Sequence, residues 1–223
     1  MALRRKEKRT ERSKLDATPP WDTKRHYEAV VTTGPFDESD QPDDGVQRLD
    51  LGALRIPAET GLEIRVEVAE QGQVAAVTLV NDVGQMQLGV FAAPRKDGIW
   101  DEVRTEIKAS ISQQGGTVNE QDGEFGPELA GKLPAPNGFT PVRFVGVDGP
   151  RWFLRAMLAG APALEDAQAK PFLETFRGVV VVRGSDPLPV RDPVPLQLPR
   201  EAAEQVAAAQ EAAGPPPEPS GQD

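Results

Sequence analysis

The chain contains no cysteine. That absence removes disulfides, thiolate zinc sites, iron–sulfur ligation and cysteine nucleophiles together. Histidine is nearly as scarce: His26 is the only one, beside Arg25 and Tyr27 in polar sequence. A histidine triad or a two-histidine zinc site needs positioned partners, so His26 reads as an exposed loop residue. No stretch approaches the ~20 apolar residues of a membrane span. Residues 1–14 are charged throughout, with no apolar run behind them. No secretory leader is therefore expected, and the expected location is the cytoplasm. Neither G-x-x-x-x-G-K-[ST] nor G-x-G-x-x-G occurs between a strand and a helix. Gly115-Gly116, Gly123 and Gly126 read as turn and cap glycines. No cofactor and no catalytic constellation follow from this composition, and an enzyme is not expected.

What is present is unevenly distributed. The net charge is −10. Residues 1–25 nevertheless hold nine Lys/Arg against four Asp/Glu, and 26–44 hold six acids and no Lys/Arg. Charge blocks of this kind usually remain solvated and serve as interaction tails. Residues 1–45 lack apolar periodicity, and Trp21, Tyr27 and Phe36 are islands in polar sequence. Such a segment buries too little to offset its ordering entropy. The reading is a disordered, basic-then-acidic segment over 1–45.

The apolar pattern occupies 46–184, enough for a single domain. An extended piece over 46–57 ends at Pro57. Leu62, Ile64, Val66 and Val68 alternate with Glu63, Arg65 and Glu67, the pattern of a half-buried antiparallel strand. Residues 74–80 and 86–91 predict two more strands. The spacing of Ile99, Val103, Ile107 and Ile111 with Trp100 predicts a helix over 97–114, capped by Asp97, with Glu102, Arg104 and Lys108 outside. A short strand within 117–126 turns at Asp122-Gly123. A hairpin follows, 142–147 and 152–159 around Asp148-Gly149-Pro150, whose proline suggests a loop longer than two residues. Residues 163–177 predict a second helix, broken or restarted at Pro171. The valines at 179–182 predict a strand buried on both faces. The order β-β-β-α-β-β-β-α-β predicts an α+β fold, an antiparallel β-sheet with two main helices packed on it. Over 185–223 a Pro-rich strap alternates Pro187, Pro189, Pro193 and Pro195 with Leu188, Val190, Val194 and Leu196. It is extended, and either covers the protein's own sheet or offers itself to a partner groove. An Ala-rich short helix and a disordered tail complete the chain.

Three stretches carry a resemblance: Arg48-Leu49-Asp50-Leu51-Gly52-Ala53-Leu54-Arg55-Ile56-Pro57; Phe91-Ala92-Ala93-Pro94-Arg95 with Gly98-Ile99-Trp100-Asp101-Glu102-Val103; and Arg143-Phe144-Val145-Gly146-Val147-Asp148-Gly149-Pro150-Arg151-Trp152-Phe153-Leu154-Arg155. Together they resemble an uncharacterised actinobacterial domain-of-unknown-function family, over roughly residues 20–184. The element order is also similar to the Mog1/PsbP-like α/β/α sandwich. That likeness implies a protein-binding role, and neither likeness supplies a catalytic residue.

Arg143, Arg151 and Arg155 are the candidate anion or partner face, with Arg143 and Arg155 as cross-strand neighbours on one face. The bland alternative is a hairpin tip with Trp152 in the core. Arg4, Arg5, Lys6, Lys8, Arg9, Arg12 and Lys14 form an arm for nucleic-acid phosphates, for an anionic membrane surface, or for solubility alone. Asp37, Glu38, Asp40, Asp43 and Asp44 would suit a divalent cation but miss the EF-hand spacing, which favours a solvated acidic linker. The expected function is a non-enzymatic protein-interaction module. The alternative is a nucleic-acid-associated factor tethered by the basic arm.

Overall fold

The computed structural model describes residues 33–58, 60–69, 74–199 and 202–203. The basic arm Arg4–Lys14, Trp21, His26, Tyr27 and the distal tail lie outside the described residues.

The fold is α+β. The period-two runs become a seven-stranded sheet in which every pairing is antiparallel, in the order β4-β5-β6-β10-β9-β8-β7. Its members are β4 (Glu63–Val68), β5 (Val74–Asn81), β6 (Gly84–Ala92), β7 (Thr117–Gly123), β8 (Gly126–Ala135), β9 (Gly138–Gly149) and β10 (Trp152–Gly160). A smaller sheet joins β1 (Phe36–Asp37), β11 (Val180–Val181), β3 (Leu54–Pro57) and β2 (Arg48–Asp50) in that order. Helix α1 (Trp100–Gln113) packs on one face of the large sheet. Helix α2 (Asp166–Arg177) and the small sheet pack on the other.

Strand alternation sorts β10 between the two cores. Trp152, Leu154, Ala156 and Leu158 join Leu54, Ile56, Phe172 and Phe176 in the larger one. Phe153 points the opposite way, to Trp100, Ile99, Ile111 and Phe144 under α1. Fully burying a large apolar side chain contributes ~1.5–3 kcal/mol, so this parity determines which face β10 turns to each helix.

Several expectations are corrected. Residues 33–45 belong to the domain: Phe36 pairs with Val180 in the small sheet, and the Trp152 indole N–H donates to Asp37 Oδ2 at 2.8 Å. The extended piece over 46–57 is a hairpin, β2 against β3. Strand β8 had no sequence counterpart. Helix α1 has no side-chain cap from Asp97; Ile99 occupies the cap position. Arg104 is buried, with its guanidinium 5.6 Å from the Trp100 ring centroid and 2.5 Å from Asp101. Helix α2 runs unbroken through Pro171. The hairpin loop is short after all, because Gly149 pairs directly with Trp152. Pro150 then leads and Arg151 takes φ 66°, the order of a type II turn. The acidic stretch is used locally: Glu38 pairs with Arg55 and Asp44 with Arg48. Among the described residues no group of three or more His, Cys, Asp or Glu is placed to hold a metal ion, and no helix is long and apolar enough to cross a membrane.

Candidate binding groove at Arg155

Strand β5 pairs with β6 only from Val77↔Leu88 to Asn81↔Gly84. Beyond Val77 it leaves β6 and stays with β4. The Pro-rich strap fills the fork. Arg191 N–H donates to the Ala92 carbonyl, Ala92 N–H to that of Asp192, and Val194 N–H to that of Val90, at 2.7–2.9 Å. Prolines suit this position because they offer no donor to a ladder that is only partly closed. Val194 is 7% exposed and belongs to the larger core. Arg191 clamps the start of the strap onto α1 through Glu102 and Glu106, both at 2.6 Å. The strap therefore covers its own sheet, one of the two alternatives open at the sequence level.

Where β5, β6 and the strap diverge, a groove of about 530 Å³ opens. Its walls carry Val74, Ala76, Val194 and Leu196, and its floor carries Gly89, Met157 and Arg155. Arg155 is half-buried. Its guanidinium carbon sits 5.2 Å from the Phe91 ring centroid. Phe91 in turn stacks on Phe153, and Phe153 on Trp100, with centroids 6.1 and 5.5 Å apart. An aromatic ladder thus runs from the start of α1 to Arg155. Burial pushes the Arg155 pKa below the ordinary arginine value, and no neighbouring charge counters that effect. Among the described residues Arg155 has no carboxylate partner.

The register shows why Arg155 stands alone. Its neighbours across both ladders are glycines, Gly89 on β6 and Gly146 on β9. A Cβ at Gly89 would lie 3.0 Å from the Phe91 ring, so glycine there lets the ring lie beside the arginine.

The three arginines singled out by sequence are not one face. Arg143 pairs with Leu158, whereas Arg155 pairs with Gly146. They point to opposite sides of the sheet. Arg143 is buried on the α2 side, with Nε 2.9 Å from Glu128 and Nη1 2.7 Å from Asp166. The Glu128 contact is an ion pair without hydrogen-bond alignment. Arg143 is thus already neutralised. Arg151 sits at the hairpin tip, where its carbonyl accepts from Ala93 N–H and from Arg183 Nε.

A family model described as protein of unknown function, DUF3710, matches residues 34–205. The chain belongs to the DUF3710 family. All three sequence motifs fall within the matched range. The DUF3710 range also takes in β1 and the strap, the two segments that a domain of 46–184 would leave outside. No curated protein matches the chain.

The groove residues Met157 and Arg155 were legible as one face of β10. The fork was not, because it depends on the strap meeting β6 across the long separation from Phe91 to Pro193.

Proposed function

We propose that this DUF3710 domain is a non-enzymatic protein-interaction module that receives its partner on the groove side of the large sheet. The observation that carries the reading is the groove itself, an open apolar cleft whose one cation among the described residues, Arg155, has no carboxylate partner among them. Apolar walls with a single oriented polar group are the usual make-up of a recognition site. In the cleft around Arg143, by contrast, the arginine already faces Glu128 and Asp166.

The test places the photo-crosslinker p-benzoylphenylalanine at Gln87, on the groove lining, in the full-length chain. Asp82, on the β5–β6 turn, serves as control. A discrete adduct from Gln87 and none from Asp82, in nuclease-treated lysate, supports the reading. Equal adducts from both sites, or none from Gln87, overturn it.

A second reading rests on the charge separation near the start of the chain, where seven Lys/Arg (Arg4, Arg5, Lys6, Lys8, Arg9, Arg12, Lys14) fall within residues 1–14. It has these residues tethering the protein to nucleic acid. Binding should then vanish on deleting residues 1–14 and weaken steeply with salt. Binding that survives the deletion would exclude it.

A further inference from the structure

We infer that the groove recognises an acidic residue carried on an extended, apolar segment of a partner protein, with Arg155 as the group that reads the carboxylate. The inference rests on the interaction reading and specifies its chemistry.

Charge comes first. A guanidinium removed from water without a counter-ion carries a desolvation cost. Among the described residues the Phe91 face lies against the Arg155 guanidinium and offsets that cost in part. A carboxylate entering the groove supplies what is missing. In surroundings of lowered dielectric that ion pair is stronger than one on open surface. The planar fork of arginine fits a carboxylate through two parallel bonds.

Shape comes next. The glycines flanking Arg155 leave its row of the sheet without a competing side chain. The nearest acid of the described residues in that row, Glu67, lies on β4, across the fork beyond Gly89 and Ala76. Ala76 and the strap prolines Pro193 and Pro195 line the groove with apolar surface along the strand direction. An extended segment with one acid between apolar residues would set its carboxylate on Arg155 and its neighbours on those walls. Met157 beside it is an adaptable surface for such side chains.

The probe is a blocked tripeptide with one glutamate between two valines, titrated into the full-length protein. The readouts are the Arg155 Nε–H resonance and the Met157 methyl resonance. Both should shift saturably. The glutamine counterpart of the peptide should bind at least about tenfold more weakly, since hydrogen bonds between charged groups contribute more than neutral ones. Arg155→Gln should abolish the preference and Arg155→Lys should keep part of it. Gln87→Glu, which sets an internal carboxylate diagonal to Arg155, should weaken the peptide without removing the arginine, and it serves if Arg155→Gln does not fold. Equal binding of the two peptides overturns acid recognition. Hexanoate binding as tightly as the peptide overturns the protein partner in favour of a small carboxylate. No shift at all overturns the site. An adduct from Gln87 with no peptide shift would leave the interaction reading standing and remove this one. A peptide shift with no adduct would overturn the protein partner and leave only the carboxylate chemistry of Arg155.

Discussion

The Asp148 carboxylate, at the end of β9, accepts hydrogen bonds from the backbone N–H groups of Ile99 at 2.8 Å and Trp100 at 3.1 Å. It caps α1 from a different strand, doing the work that a local side chain usually does. Burial raises its pKa, against the pull of the two amides. Gly98 allows the approach, since a Cβ there would lie 2.5 Å from Asp148 Oδ2.

Asp148→Ala should therefore cost about 1–2 kcal/mol, the usual loss of a helix cap. Asp97→Ala should cost less, because Asp97 is not the cap. Chemical denaturation of both variants tests the order.

The Trp152–Asp37 bond ties the first described strand to the central sheet. Trp152→Phe keeps most of the apolar burial and loses the donor. A double-mutant cycle with Asp37→Ala should give a coupling of about 1.5–3 kcal/mol, typical of a hydrogen bond to a charged acceptor. Additive losses would show that the bond contributes nothing.

Asp44 is held down to about 2 by its hydrogen bonds from Arg48 and Val46. A depressed carboxylate stabilises the fold above its unfolded pKa, and that stability is lost as pH falls through the folded value. The stability gap between the natural protein and Asp44→Asn should be full well above about pH 4, shrink as pH falls, and close only below about 2. Urea midpoints across that range measure it.

Val194 anchors the strap. Val194→Ala should destabilise by about 1–3 kcal/mol through lost burial and the cavity left behind. Val194→Asp should cost more and release the strap to proteolysis between Gly184 and Pro199. A strap that stays protected in Val194→Asp would show that the Arg191 clamp alone holds it.

Much of this fold is legible in the residues. The alternation of Ile64 and Val66, the stripe from Trp100 to Ile111, and the opposed faces of β10 all follow from local periodicity. Strand β8 is hidden because Gly126, Pro127, Gly131 and Pro134 interrupt its alternation. The grouping of Arg143 with Arg155 fails for a related reason. A proline after Asp148-Gly149 suggests a long loop, yet Pro150 and Arg151 alone make the turn. Shifting a register by one residue exchanges the faces of every side chain. The tight turn thus sends Arg143 to Glu128 and Asp166 and Arg155 to the opposite face. The Asp148 cap and the strap contact are long-range pairings, and no local pattern announces them.

The strap has a consequence for when the groove exists. One wall is built from Pro193–Leu196, while the floor comes from strands that leave the ribosome far earlier. During synthesis, therefore, the cleft around Arg155 stays incomplete until almost the whole domain has emerged. A chain that ends before Pro193 carries Arg155, Phe91 and Met157 but lacks that wall. On the function proposed above, partner recognition then waits for the completed domain.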